Sequence, residues 1–314
     1  MIQRVPAATL AFVGTLFVST ACGGQQLVYR LDPELGTPYA GTTTTETRTQ
    51  TQMQGMDIEV SMTMRMDHDV VFEAGSDDTV VGRYTTTSVS AEMGGMPGLD
   101  QMPFDLNDVY QGMVGVTFTL VMTRGGEMVE FDGLEAMMGA MLDRLEAPDE
   151  LRAMMGQFLE GNFGEDQIRQ MAGQSGLSMP DHPVAVGDTW TDSVSALGID
   201  IETTYTLTDR SDGLASIDAA ATVSGAEDAG FEFPGAQSVP GMEMRFENLS
   251  GALEGSYELD ESTGLTSAYS MNMTMDTDMV MEMPQVEGQP AGASSMSISM
   301  AMETSVEGTL GKAE

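Results

Sequence analysis

The stretch Met271-Asn272-Met273-Thr274-Met275-Asp276-Thr277-Asp278-Met279-Val280-Met281-Glu282-Met283 alternates apolar and polar side chains along its whole length. A period of two places all of its methionines on one side of a β-strand and most of its carboxylates and amides on the other. Strands in soluble proteins are usually about five or six residues long. A run of this length therefore indicates a large curved sheet.

Three further stretches show the same alternation, at residues 58–66, 199–207 and 296–302. In each, mostly apolar residues such as methionine, isoleucine, valine, tyrosine and leucine alternate with mostly polar residues such as threonine, serine, aspartate and glutamate. Strands with one apolar and one polar face are typical of antiparallel sheets that have one side in water. The sequence thus predicts a sheet with a methionine-rich face and an acidic face.

A different period appears in the middle of the chain. Leu134, Met137, Met138 and Met141 recur at helical spacing, and the spacing returns in the stretch 151–159. This pattern predicts a helical insert at residues 133–175. Strands on both sides of a helical block favour an α+β fold. We expect a half-barrel-like antiparallel sheet with the insert packed on its apolar face.

The two ends of the chain resemble each other. The segment 55–63 aligns with 198–206, and Leu35-Gly36-Thr37-Pro38-Tyr39 is similar to Val186-Gly187-Asp188-Thr189-Trp190. Duplicated halves and convergent strand patterning both explain this similarity. The aromatic residues Tyr39 and Trp190 are expected to be core anchors at the starts of strands.

The N-terminus has the features of an export signal. Arg4 precedes an apolar core at residues 7–18, and Ser19-Thr20-Ala21-Cys22 follows. A core of this length is typical of a signal peptide and is too short for a transmembrane helix. The single cysteine at the cut resembles a bacterial lipobox, although Ser19 replaces the usual Leu, Val or Ile. Cleavage by ordinary signal peptidase after Ala21 is the alternative.

These features predict the domain organisation and location. Residues 1–21 form a lipoprotein signal peptide, residues 22–28 an acylated cysteine with a short tether, and residues 29–311 a single β-rich domain. The protein is expected to be exported and anchored by lipid on Cys22 in the bacterial cell envelope, at the outer membrane facing the periplasm or the cell surface.

Charge and composition exclude several classes of function. The formal net charge of −37 opposes binding to nucleic-acid phosphates. One cysteine excludes a disulfide framework, and the only lysine, Lys312, is poorly placed for Schiff-base chemistry. The motifs of metalloproteases, serine hydrolases, phosphate loops and dinucleotide binding are missing. We therefore predict a non-enzymatic protein with no cofactor and no metal.

The 30 methionines admit three interpretations. They can fill the core in place of valine and isoleucine, line a plastic site for an acyl chain or another apolar ligand, or bind a soft metal such as Cu(I). Met93, Met96 and Met102 form the best group for a metal. The residues predicted to line an apolar ligand site share a strand or helix face: Met62, Met64, Met137, Met138, Met141, Met154, Met155, Phe158, Met273, Met275, Met279 and Met281.

The predicted function is therefore a cell-envelope lipoprotein that binds a lipid or acyl chain in a methionine-lined cavity between sheet and helices. The alternative is a structural or interaction lipoprotein with a solid core and no ligand. Paired acidic residues such as Asp67 and Asp69, or Asp276 and Asp278, could contribute to a calcium site. The interpretation that we favour for them is a solvated acidic surface.

The octapeptide Pro183-Val184-Ala185-Val186-Gly187-Asp188-Thr189-Trp190 resembles the P-V-x-V-G-D-x-W signature of a bacterial lipoprotein family of unknown function. A hairpin at residues 255–264 resembles a second mark of that family. The resemblance covers most of residues 27–310 and implies an envelope lipoprotein without an assigned activity. The expected architecture is also loosely similar to LolA-like and LppX-like carriers, in which a curved half-barrel shields acyl chains.

Overall fold

The computed structural model describes residues 26–53, 55–95, 105–144, 177–196, 199–225, 243–282 and 295–313. Strands account for 69% of this part of the chain and helices for 9%. The eleven strands are β1 Pro38–Met53, β2 Met56–Ala74, β3 Thr79–Gly94, β4 Thr117–Thr123, β5 Met128–Asp132, β6 Thr189–Ala196, β7 Ile199–Ser211, β8 Leu214–Gly225, β9 Glu243–Asp260, β10 Thr266–Glu282 and β11 Ser295–Lys312.

All eleven strands form one antiparallel sheet in the order β5-β4-β3-β2-β1-β11-β10-β9-β8-β7-β6. Strands β1 to β5 make one meander and β6 to β11 make another. The two meanders meet where β1 pairs with β11 over fifteen residue pairs, from Tyr39 opposite Lys312 to Met53 opposite Ile298. The longest strands therefore lie toward the centre of the sheet, and its two edge strands, β5 and β6, have only five and eight residues.

Alternation in the sequence becomes the two faces of this sheet. The alternating residues 271–282 lie in β10. Met62, Met64 and Met66 alternate along β2 with neighbours that are more exposed. The register places the methionines of both strands on the same side, which we call the thioether face. The opposite side carries most of the strand carboxylates, and we call it the carboxylate face.

The prediction of an α+β fold with a central helical insert is wrong. Only two short α-helices, α1 Leu106–Tyr110 and α2 Leu134–Arg144, and a 3₁₀ turn at Gln111–Met113 are found in the described chain. The periodicity of residues 134–142 does form α2, but the remainder of the predicted insert, residues 145–175, lies outside the described residues. Periodicity identifies a helix face without identifying the surface that the face will meet.

The helices lie beside the sheet edge at β3 and β4, and α2 does not pack on β10. Strand β4 pairs with β3 over residues 79–85, and the backbone of Thr86 bonds to Gly115 and Val116, so residues 87–94 of β3 have no strand partner on this side among the described residues. There Asn107 accepts a hydrogen bond from the backbone amide of Ala91 at 3.1 Å, and Gln111 donates to the carbonyl oxygen of Val89. The helical segment thus covers an edge that would otherwise offer unpaired backbone groups.

The segment 26–37, which we call the strap, joins the two meanders at one end of the sheet. The amide of Leu31 donates to the carbonyl oxygen of Arg124 in the β4–β5 turn at 2.9 Å, and the next amide, of Asp32, donates to that of Thr263 in the β9–β10 turn at 2.7 Å. Five strand spacings, about 24 Å in a flat sheet, separate β4 from β10. Because adjacent residues of the strap reach both turns, the sheet curls at this end.

The curl places the thioether face inside. Leu31 of the strap and Leu265 of the β9–β10 turn are buried in one cluster with Val70, Phe72 and Val80. A second cluster, on the other meander, contains residues of the strap, of the segment before β6 and of β6 to β9: Leu27, Val184, Trp190, Tyr205, Leu207, Ala215, Ile217, Ala219, Tyr257 and Leu259. Tyr29 packs against both clusters, so the strap end has a continuous solid core.

The two meanders begin in the same way. Gly36 precedes β1 and donates to the carbonyl oxygen of Phe72 at 2.8 Å, while Gly187 precedes β6 and donates to that of Leu207 at 2.7 Å. Both glycines have positive φ, at 73° and 93°, which favours glycine at these turns. The shared geometry agrees with the similarity between residues 35–39 and 186–190, and both duplication and convergence still explain it.

Candidate functional site

The thioether face is built from rows of side chains that run across the sheet. One row passes from Met62 on β2 through Thr47 on β1 and Thr304 on β11 to Met273 on β10. A parallel row joins Val60, Thr49, Met302 and Met275. Since directly opposite residues in antiparallel strands share a face, these side chains form one surface. Its centre, between β2 and β10, is three strand spacings wide, about 14 Å.

Burial along this face changes from the strap end outward. At the strap end Val70, Phe72 and Val80 have no exposed area. Farther from the strap end, Met62 and Met64 on β2 and Met273 and Met275 on β10 are only partly buried. The thioether side chains therefore form an extension of the core that the described residues do not fully cover.

The structure brings some of the predicted site residues together and separates others. Met62 and Met64 on β2, and Met273 and Met275 on β10, occupy thioether-face positions. The backbone of Met279 and Met281 continues β10 opposite Ile298 and Met296 of β11. Met137, Met138 and Met141 lie on α2, are partly buried, and belong to the helical group at the β3–β4 edge. Cys22, Met154, Met155 and Phe158 lie outside the described residues. The predicted cavity between sheet and helices is thus not formed by α2.

The threonines of the thioether face were not among the site residues predicted from the sequence. β1 contributes a threonine at every thioether-face position from Thr43 to Thr51. The signal was present as alternation within Thr42–Thr51, but threonine occurs on both faces of that strand, so the sequence alone does not separate an inner from an outer set. The register with β2 separates them.

The carboxylate face contains shallow grooves instead. One groove, with a volume of about 780 Å³, is lined by residues of β2, β1, β11, β10 and β9, among them Gln50, Asp57, Asn248 and Asp278. Ser299 donates to Asp278 at 2.6 Å and Asn248 donates to it at 3.0 Å. These hydrogen bonds lower the pKa of Asp278, so it is held as an anion. The acidic pair Asp276 and Asp278 is part of this hydrated surface.

His68 lies on the thioether face, as its position between Asp67 and Asp69 predicts. Its ring fits over Gly41 of β1, where a Cβ would lie 2.8 Å from the ring Cε1. The Nδ1 atom is buried and has no hydrogen-bond partner in the part of the chain that the structure describes. Burial lowers the pKa of His68, and the nearby carboxylates of Asp67 and Asp69 oppose this only in part. The imidazole is therefore neutral at pH 7 and is partly buried on the thioether face.

The aromatic residues at the strand starts are core anchors. Tyr39 is 3% exposed and Trp190 is 8% exposed. The Trp190 indole stacks on Tyr205 with ring centroids 5.6 Å apart, and its Nε1 donates to the carbonyl oxygen of Ser178 at 2.7 Å. The prediction of a structural role for both residues is confirmed.

Among the described residues, no group of three or more His, Cys, Asp and Glu side chains is arranged to hold a metal ion. Of the methionine group proposed for a soft metal, Met93 lies on β3 opposite Met62, and Met96 and Met102 lie outside the described residues. No helix in the described ranges is long and apolar enough to cross a membrane.

Comparison with protein families gives one match. The model of a family of unknown function, DUF6263, matches residues 89–266, which is more than half of the chain. The chain belongs to the DUF6263 family. The match runs from the middle of β3 to the start of β10, so DUF6263 includes the β6–β9 meander and the segment 183–190. It does not establish the octapeptide as a family signature. No curated protein is a significant sequence relative of the chain.

Similar solved structures are distant. Lipovitellin, from a study of lipid–protein interactions in that protein, is 10% identical with a TM-score of 0.47 and 90% of this chain aligned. The chain spans 26% of the lipovitellin chain. Rv2717c of M. tuberculosis is 10% identical with a TM-score of 0.18, over 85% of this chain and 89% of its own. The outer membrane protein OprG of Pseudomonas aeruginosa is 9% identical with a TM-score of 0.21, over 91% and 99%.

At these TM-scores none of the three likenesses decides the fold or function of this DUF6263 protein. The resemblance to LolA-like and LppX-like carriers that the sequence suggested also remains without support from the comparisons.

Proposed function

We propose that the protein is a non-enzymatic cell-envelope lipoprotein that holds a lipid or another apolar ligand against its thioether face. The observation that carries this proposal is the change in burial along one face. Aliphatic and aromatic side chains are fully buried at the strap end, whereas Met62, Met64, Met273 and Met275 remain partly exposed. A contiguous, partly exposed apolar surface on the inner side of a curled sheet is typical of a binding site.

Methionine suits such a surface. Its unbranched, polarizable side chain adapts to ligands of different shape, whereas valine and isoleucine fix one packing arrangement. Valine and isoleucine satisfy the same alternation and have a higher strand propensity. The use of methionine at the partly exposed positions, and of Val70, Phe72 and Val80 at the buried ones, therefore supports a difference in role between the two ends of the face.

The sequence supports lipid anchoring through Cys22. Only residues 23–26 separate this cysteine from Leu27, which pairs with Val184 at the strap end. Five residue steps span at most about 18 Å. An acyl anchor on Cys22 would therefore hold the strap end of the sheet near the membrane, and the partly exposed methionines would lie farther from it.

A structural or interaction lipoprotein without a ligand is the competing proposal. The solid packing at the strap end favours it, because Val70, Phe72, Val80, Leu207 and Ile217 are fully buried without any ligand. The two proposals differ in what the partly exposed part of the thioether face does.

The test is to express the full chain in a bacterial host and to analyse the purified protein. Intact-mass measurement should show an acylated Cys22, and solvent extraction followed by mass spectrometry should recover a bound lipid. A Cys22→Ala variant should lose the acyl modification and still take up a fluorescent fatty acid. Recovery of no lipid, together with no uptake of the fatty acid by either protein, would support the ligand-free alternative.

A further inference from the structure

The middle of the thioether face carries a row of hydroxyl groups. The threonines at alternate positions of β1, namely Thr43, Thr45, Thr47, Thr49 and Thr51, all point to this face. All five are partly buried. Their spacing along the strand is about 6.8 Å. β1 is a central strand of the sheet, so the row follows the axis of the proposed ligand site.

Apolar side chains flank most of the row, although Thr304 lies opposite Thr47 on β11. On β2 the residues opposite Thr45 and Thr47 are Met64 and Met62. On β11 those opposite Thr49 and Thr51 are Met302 and Met300. The hydroxyl row is therefore a polar track within an apolar surface, and it lies away from both edges of the sheet.

Two of the five hydroxyl groups are hydrogen-bonded within the protein. Thr43 shares a hydrogen bond with the Tyr269 hydroxyl at 3.2 Å, and Thr47 shares one with Thr304 at 3.3 Å. The hydroxyl groups of Thr45, Thr49 and Thr51 form no hydrogen bond with any residue that the structure describes.

A hydroxyl group that is covered by hydrocarbon without a partner costs about 1–3 kcal/mol. A ligand made of hydrocarbon alone would impose this cost at three positions along β1. Valine has nearly the same shape as threonine and would avoid the cost without loss of strand propensity. The hydroxyl groups therefore require a ligand with polar groups of its own.

We infer that the ligand is an amphiphile with hydroxyl, ester or amide groups along its apolar part, which pair with Thr45, Thr49 and Thr51 as the chain lies along β1. This inference rests on the proposed function and specifies the ligand class. A hydroxylated or ester-bearing acyl chain binds better than an unsubstituted acyl chain of the same length.

The test uses two acids that differ by one hydroxyl group. Stearic acid and 12-hydroxystearic acid are titrated against the full-length protein loaded with a fluorescent fatty acid, and displacement is measured. The wild type should prefer the hydroxylated acid by about tenfold, the value of one net hydrogen bond. A Thr45→Val, Thr49→Val, Thr51→Val triple variant should lose the preference.

Two controls separate the hydroxyl groups from other effects. A Thr44→Val, Thr63→Val, Thr274→Val triple variant changes the carboxylate face and should keep the preference. A Thr45→Ser, Thr49→Ser, Thr51→Ser triple variant retains the hydroxyl groups and should also keep the preference for the hydroxylated acid. That result would exclude a general packing defect as the cause of the loss in the valine variant. Equal affinity of the wild type for both acids would overturn this inference alone. If neither acid displaces the fluorescent fatty acid, the proposed function fails, and this inference fails with it.

Discussion

Leu31 and Arg124 are joined by a backbone hydrogen bond of 2.9 Å, and the Arg124 guanidinium in turn donates to the carbonyl oxygen of Leu31, also at 2.9 Å. The same guanidinium contacts the Asp32 carboxylate at 2.6 Å. Arg124 is only 18% exposed. This two-way contact fixes the strap against the β4–β5 turn, and the neighbouring Asp32 amide fixes it against the β9–β10 turn.

The strap should therefore contribute strongly to stability. Leu31→Ala removes a side chain that is 3% exposed, and we expect it to lower the free energy of unfolding by about 2–5 kcal/mol. Leu35→Ala, in the same segment but 49% exposed, should change it by less than about 0.5 kcal/mol. Urea unfolding measures both. Equal losses for the two variants would show that the strap is not part of the core.

The position of α2 predicts opposite effects for two glycine substitutions. A Cβ at Gly112 would collide with the backbone oxygen of Ala140, so Gly112→Ala should displace α2 and destabilise the protein. A Cβ at Gly139, within α2, meets nothing within 4 Å, so Gly139→Ala should stabilise the helix by about 0.5–1 kcal/mol. Thermal unfolding of the two variants checks this, and destabilisation by both would contradict the observed docking of α2.

The Arg210–Glu261 ion pair predicts acid sensitivity. Its two hydrogen bonds measure 2.6 and 2.7 Å, and the pKa of Glu261 is lowered, first by the hydrogen bond from Arg210. A lowered pKa in the folded state contributes stability above the unfolded value near 4.5, and this contribution is lost as the pH falls through the folded pKa.

Glu261→Gln should therefore be less stable than the wild type at pH 7, and the difference should shrink on acidification below pH 4.5. Urea midpoints across this range measure it. The exposed Glu34–Lys312 pair provides the control, since Glu34→Gln should have a smaller effect. A difference between Glu261→Gln and the wild type that is independent of pH would contradict the role of the charge.

His68 predicts a second pH dependence. Because burial lowers the pKa of His68 below 6.5, the folded protein binds this proton less readily than the unfolded chain. Stability is then complete above pH 6.5 and falls as the pH decreases toward the folded pKa. NMR titration should show one imidazole with a pKa below 6.5, and the spectrum of a His182→Gln variant assigns it to His68. A titration of His68 above 6.5 would contradict its burial.

The strands could be predicted from the sequence because their pattern is local. Alternation from Met271 to Met283 identifies β10 to within a few residues, and the same pattern identifies β2, β7 and β11. The strand order could not be predicted, since it depends on which long strands meet at the centre. The pairing of β1 with β11 brings together residues that are 245 to 273 positions apart, from Met53 opposite Ile298 to Tyr39 opposite Lys312.

The candidate site was predictable only in part for the same reason. Strand periodicity places Met62 and Met273 on apolar faces, but only the register shows that the two faces are one surface. The helical periodicity of Met137, Met138 and Met141 is equally clear, yet it misled the prediction of the fold. An apolar helix face can pack on the face of a sheet or beside its edge. Here α2 belongs to the helical group that lies beside the edge formed by β3 and β4.

The most direct test of ligand binding at the thioether face is photocrosslinking with a diazirine-labelled fatty acid, followed by peptide mapping. Met62 and Thr63 are neighbours on opposite faces of β2, as are Met273 and Thr274 on β10. Ligand binding at the thioether face predicts adducts at Met62 and Met273, and unlabelled palmitate should suppress them. Adducts at Thr63 and Thr274, or labelling that palmitate does not reduce, would contradict it.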